Sequence, residues 1–165
     1  MTGLPGGLTA TARQVMELCK ARGATLALAE SCTGGLVAAV LTSLPGSSTF
    51  VERGFVTYSN AAKTDLLGVP ADLLGRVGAV SEEVARAMAE GALRNSAATA
   101  SLAITGIAGP TGGLPGKPVG TVHLAAAAAG KHTLHQHQLF SGDRDAVREA
   151  SAVAAMELLM RVINE

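Results

Sequence analysis

The sequence predicts an α/β fold in which a mixed sheet is covered by helices on both faces. Three observations predict it. Helical and strand patterns alternate through the first part of the chain, the signature of a sheet whose strands are joined by helices. The segments "ATLALA" and "ASLAITGIAG" are continuous apolar runs, as strands buried on both faces are. Late in the chain "VGTVHLAAAA" and "KHTLHQHQLF" flank Gly130-Lys131 as an antiparallel hairpin does, which makes the sheet mixed.

The elements follow in order. Residues 1–7 are expected to be irregular. "LTATARQVMELCKARG" carries Leu8, Ala12, Val15, Leu18 and Cys19 at helical spacing and stops at Gly23. After the strand "ATLALA", the turn at Glu30 to Thr33 opens the helix "GGLVAAVLTSL", which ends before Pro45-Gly46. "STFVERGFVTYS" is β-branched and aromatic, hence a strand, and "NAAKTDLLGV" is a short helix with Asn60 as its N-cap. "AVSEEVARAMAEGALRNSA" is a longer helix that Ser81 can cap, with Glu82 and Glu83 in its first turn. The strand "ASLAITGIAG" runs into the turn-rich loop "PTGGLPGKP" and then the hairpin. "DRDAVREASAVAAMELLMRVI" closes the chain as a helix with Val147, Ala150, Val153, Ala154, Leu158 and Val162 on one face. Ligands of such sheets sit at the carboxyl ends of strands, which places the 30–35 turn, the 57–63 turn and the 105–118 loop at one rim.

Composition narrows the function classes. A length of 165 residues, 48% hydrophobic and 16% charged, predicts one compact domain. Lys plus Arg and Asp plus Glu balance at 13 each, so neither a nucleic-acid face nor an anionic-membrane surface is expected. Aromatics are 2% of the chain, with one Tyr and no Trp, which argues against a base-stacking platform. Cys19 and Cys32 make neither a disulfide framework nor a metal spacing. His123, His132, His135 and His137 read as sheet-surface residues, so no metal is expected. The start "MTGLPGGLTA" is not a signal peptide, and no apolar window reaches membrane-spanning length; the expectation is a soluble, cytoplasmic protein.

Four stretches can carry chemistry, and each also has a plain structural reading. In "AESCTGG", Gly34 and Gly35 let a backbone approach a ligand at a helix start whose N–H groups favour anions. Ser31 is there either a nucleophile or, like Thr33, a helix cap; Cys32 is the more nucleophilic atom type but also a common buried residue. In "TYSNAAK", Tyr58 ends a strand and Lys63 stands in the next helix's first turn, as a depressed-pKa base or as a solvated lysine. "TGIAGPTGGLPGKPVGT" holds six glycines within fifteen residues, which form either a backbone-donating wall for phosphate or ribose or an irregular surface loop. In "FSGDRDAVRE", Arg144 and Arg148 share a helix face, either as a phosphate clamp or as solvated charges beside Asp143, Asp145 and Glu149.

In this order, "AESCTGG", "GFVTYSNAAKTDLLGV", "GAVSEEVARAMAEGAL", "TGIAGPTGG", "KPVGTV" and "FSGDRDAVRE" resemble the CinA C-terminal domain family, whose stand-alone members look like nicotinamide-nucleotide amidases. The likeness runs from about residue 8 to about residue 160, and six blocks in register are specific where each alone is weak. It implies a three-layer α/β/α sandwich with a mixed, mainly parallel sheet. It implies hydrolysis of nicotinamide mononucleotide to nicotinate mononucleotide and ammonia, with no metal or cofactor, by a homodimer. The family's serine, tyrosine and lysine match Ser31, Tyr58 and Lys63. Its nucleotide loop matches Thr105, Gly106, Gly109, Gly112 and Gly113, and its phosphate-side arginine matches Arg144. Cys32, Thr33, Gly34 and Gly35 join the substrate-binding set, the amides of Thr33 to Gly35 as an oxyanion site. Longer relatives carry an additional N-terminal domain with pyrophosphatase activity, which a chain of this length is expected to lack. Leu114 and Gly116 stand where such a loop is expected to be more polar. A catalytically silent nucleotide-binding module acting through a protein partner is the competing expectation.

Overall fold

The structure is a computed structural model and describes residues 3–165. In chain order the elements are α1 (Gly6–Arg22), β1 (Leu26–Glu30), α2 (Leu36–Thr42), β2 (Val51–Val56), α3 (Asn60–Leu67), α4 (Ala71–Val77), α5 (Glu82–Arg94), β3 (Ala100–Gly106), β4 (Thr121–Ala128), β5 (Leu134–Leu139) and α6 (Arg144–Asn164). One sheet of order β2-β1-β3-β4-β5 forms the middle layer. β1 runs parallel to β2 and β3; β4 and β5 form the expected antiparallel hairpin.

Strand alternation builds two cores of different character. Leu26, Leu28, Leu102, Ile104 and Leu124 face α1, α2 and α6, whereas Ala27, Ala29, Ala103, Ala125 and Ala127 face α3, α4 and α5. The result is a three-layer α/β/α sandwich with one thick and one thin core. Leu28 is wholly buried in the thick one, where truncation to Ala costs about 2–5 kcal/mol. The alanine floor lets α5 approach the sheet closely, and a Cβ at Gly91 would run into the Leu67 carbonyl oxygen.

Some boundaries differ from expectation. α1 begins at Gly6 rather than Leu8, because the Pro5 carbonyl accepts the Thr9 N–H and starts the ladder. The expectation for residues 1 and 2 lies outside the described residues. Residues 47–49 form a short 3-10 turn, so β2 starts only at Val51. The cap of α3 is Ser59, whose Oγ accepts the Ala62 N–H at 3.0 Å; Asn60 is the first helical residue. α4, which no pattern announced, fits between Pro70 and Gly78. Ser81 caps α5 as expected. Among the described residues no helix is long and apolar enough to cross a membrane.

Candidate active site

The parallel strands β1, β2 and β3 end at one edge of the sheet, and the cleft lies there. β1 is buried along its whole length, and pairing continues one residue past it, since the Ser31 N–H donates to the Ile104 carbonyl at 3.0 Å. Ser31 is therefore placed by the backbone of a buried central strand. Lys63, in α3, is only 1% exposed. Its Nζ lies in hydrogen-bond contact 3.1 Å from Ser31 Oγ and donates to the Thr57 carbonyl at 2.7 Å. Among the described residues no carboxylate pairs with it. Burial pushes its pKa below the ordinary lysine value, opposed only by the neighbouring Cys32. Burial raises the Cys32 thiol to about 11. Ser31 is the better placed nucleophile because its Oγ is the one in contact with the Lys63 amine.

The turn after Ser31 is held mainly by protein groups. The buried Glu30 carboxylate accepts the N–H groups of Val37 at 2.9 Å and Ala38 at 3.0 Å. The Gly34 N–H closes onto the Ser31 carbonyl at 3.0 Å, and Gly34 and Gly35 take positive φ values of 61° and 101°. The expected anion site at the amides of Thr33 to Gly35 is thus partly occupied from within, and Thr33, Gly34 and Gly35 do not line the cleft. Arg148 donates to the Thr33 carbonyl at 2.9 Å and braces this turn instead of joining Arg144 in a clamp. The hydroxyls of Thr33 and Thr57 are buried without a partner.

The cleft holds about 270 Å³ and is lined by Ser31, Cys32, Tyr58, Asn60, Lys63, Ala79, Val80, Thr105, Gly106, Ile107, Ala108, Thr111, Gly112 and Arg144. The Thr105 hydroxyl donates to the Ala79 carbonyl at 2.9 Å and Lys117 donates to the Val77 carbonyl at 2.9 Å, which tether the 77–80 wall. Of the loop glycines, Gly106 and Gly112 line the cleft, while Gly109 and Gly113 do not. Their absent side chains make room for other parts of the fold. A Cβ at Gly106 would sit 2.8 Å from Val122 Cγ2, and one at Gly109 would run into Val119.

Arg144 opens α6 at the cleft mouth. Its Nη1 donates to the Gly109 carbonyl at 2.6 Å and its Nη2 to the Tyr58 hydroxyl at 2.9 Å. No carboxylate is among the lining residues, so the Arg144 guanidinium makes the cleft mouth receptive to an anion. Sequence reasoning missed Glu30, although an acid closing an apolar run is a signal of its kind. It also missed the Thr57 carbonyl and the Ala79–Val80 wall, which have no side-chain signature. Among the described residues no three His, Cys, Asp or Glu side chains converge as metal ligands.

Fold and site together define a three-layer α/β/α domain with a buried serine–lysine pair at the base of a cleft that Arg144 also lines. The chain belongs to the CinA C-terminal domain family, whose match covers residues 8–163. It is 57% identical over 145 residues to a CinA-like protein of Anaeromyxobacter sp. (strain Fw109-5), covering 88% of this chain and 35% of that one. The chain thus spans about a third of the length of such relatives, 35% in this case. It is 52% identical over 146 residues to the nicotinamide-nucleotide amidohydrolase PncC of Escherichia coli (strain K12), covering 88% of each. The crystal structure of the competence/damage inducible protein CihA from Agrobacterium tumefaciens superposes with a TM-score of 0.95 at 44% identity, covering 100% of both chains.

Proposed function

We propose that this chain is an amidohydrolase that converts nicotinamide mononucleotide to nicotinate mononucleotide and ammonia, with Ser31 as nucleophile and Lys63 as base. The similarity to the E. coli amidohydrolase supports the reaction class. One observation carries the mechanism: Lys63 Nζ lies 3.1 Å from Ser31 Oγ, buried and without a carboxylate that would hold its charge.

In the neutral amine, one N–H serves the Thr57 carbonyl and the lone pair is free for the Ser31 proton. Ser31 Oγ attacks the carboxamide carbon as Nζ takes that proton. The N–H of Cys32, the turn residue after Ser31 that lines the cleft, is the turn's donor to the oxyanion. Collapse breaks the C–N bond, and the Lys63 ammonium returns the proton to the departing nitrogen, which leaves as ammonia. Lys63 then activates a water that cleaves the Ser31 ester, releasing the nicotinate carboxylate. This is triad logic with lysine in the place of histidine. The substrate's 5′-phosphate is placed against Arg144.

Ammonia release from nicotinamide mononucleotide by the purified protein tests the reading. The wild-type chain is expected to turn over and Ser31→Ala to lose the activity. A wild-type chain that binds the nucleotide and releases no ammonia would instead be the silent binding module.

A further inference from the structure

We propose that Tyr58 is a positioning residue for Arg144, and through it sets a preference for a phosphorylated nucleotide over the corresponding nucleoside, taking no part in the proton relay. The nature of the ligand rests on the amidase reading; the role of the tyrosine rests on geometry.

The serine–lysine pair is complete without Tyr58. Lys63 Nζ has Ser31 Oγ on one side and the Thr57 carbonyl on the other, and Tyr58 makes no hydrogen bond to either catalytic side chain. The three residues also sit in different media, with Ser31 8% exposed, Lys63 1% and Tyr58 61%. A phenol turned to solvent and bonded to Arg144 gives a buried amine nothing that the Thr57 carbonyl does not already provide.

What the hydroxyl does hold is Arg144, 86 residues away in sequence, accepting from its Nη2 at 2.9 Å. On the other nitrogen, Nη1 donates to the Gly109 carbonyl at 2.6 Å. One strut comes from the segment just after β2 and the other from the glycine loop, so the exposed guanidinium is held by a hydrogen bond on each of its two terminal nitrogens. Of its five N–H donors, two are spent and three remain for an anion. Arginine loses much rotamer freedom on binding, and a group already pinned in the free protein loses less. The cleft supplies no carboxylate to compete, and the nearby Asp145 pairs with Arg148 at 3.7 Å. Pre-set in this way, Arg144 acts on the phosphate, a group the nucleoside lacks.

The test measures affinity for nicotinamide mononucleotide and for nicotinamide riboside by calorimetry, in a Ser31→Ala background so that ligand is not consumed. Tyr58→Phe keeps the exposed ring and deletes only the acceptor. It is expected to weaken the mononucleotide roughly three- to tenfold and the riboside by less than about twofold. In an Arg144→Ala background the same change is expected to have no further effect, because its partner is gone. With Ser31 restored, kcat and the pH midpoint of kcat/KM are expected to stay as in wild type while KM rises. A large fall in kcat, a moved pH midpoint, equal weakening of both ligands, or no weakening at all overturns the proposal. If the wild-type chain binds the mononucleotide but releases no ammonia, the amidase reading falls and the affinity cycle still decides the role of Tyr58. If neither ligand binds, both fall.

Discussion

Removing the Glu30 carboxylate tests how the nucleophile's turn is held. In Glu30→Ala, the Val37 and Ala38 N–H groups lose their Glu30 acceptors, the first bond fully buried and the second partly so. Hydrogen bonds to a charged group contribute about 1.5–3 kcal/mol each. Two of them set an upper bound of about 6 kcal/mol. Water reaching Ala38, and the relief of no longer burying a charge, bring the expected loss to about 3–4 kcal/mol. Glu30→Gln keeps one acceptor oxygen and turns an NH2 group toward the other N–H, so it is expected to cost about 1–3 kcal/mol. The assay is urea denaturation followed by circular dichroism, with thermal melting beside it. At roughly 2–4 °C per kcal/mol for a domain of this size, Glu30→Ala is expected to lower Tm by about 6–16 °C. A loss below about 1 kcal/mol would refute the reasoning, since the two amides would then be satisfied without the carboxylate.

Other perturbations separate the groups around the cleft. Cys32→Ala is expected to keep most of the ammonia release, because the Lys63 amine contacts Ser31 Oγ; an inactive variant would move the nucleophile from Ser31. The acidic limb of kcat/KM is expected to fall below the ordinary lysine range near 10.4, since burial lowers Lys63 and only its neutral form accepts the serine proton. A limb at the ordinary value would return Lys63 to charge binding. His123, stacked on His137 and bonded to His135, is pushed down to about 4 by burial and by His137, His135 and Lys117, against Glu82. The unfolded chain therefore binds more protons between about 4 and the ordinary 6.5, and stability falls as pH drops through that window. His123→Gln is expected to flatten that fall in urea titrations, and an unchanged slope would assign it to other groups.

The two apolar strands, the hairpin and the long helices were legible because burial on both faces writes continuous runs, and an amphipathic face writes a 3.6-residue period. The face of α6 was not: Ala150, Val153 and Ala154 are only half-buried, and Ser151, Ala152, Ala155, Met156, Leu159 and Ile163 are buried beside Val147, Leu158 and Val162. α4 was not legible because only Leu74 of its seven residues is buried, too few to write a period. Asn60 and Ser59 are both good caps, and only the backbone decides between them. In the site, "AESCTGG" and "TYSNAAK" pointed to the right rim, yet nothing local says that Lys63 is buried. Its neighbours in sequence, Ala62 and Thr64, do not mark a core position, and its burial comes from the residues just after β1 and β2, 32 and 6 residues away. The glycine loop read either as a ligand wall or as an irregular loop, whereas Gly109 answers to Val119, a packing demand visible only in three dimensions.

Turnover of nicotinamide mononucleotide by Lys63→Arg tests the serine–lysine claim most directly. Arginine keeps the positive charge and cannot give up its proton near neutral pH. If Lys63 is the base for Ser31, ammonia release at saturating substrate is expected to fall by roughly a thousandfold or more, while the folded variant still binds the nucleotide. Substantial retained turnover would contradict the account, because a residue needed only for its charge is one that arginine can replace.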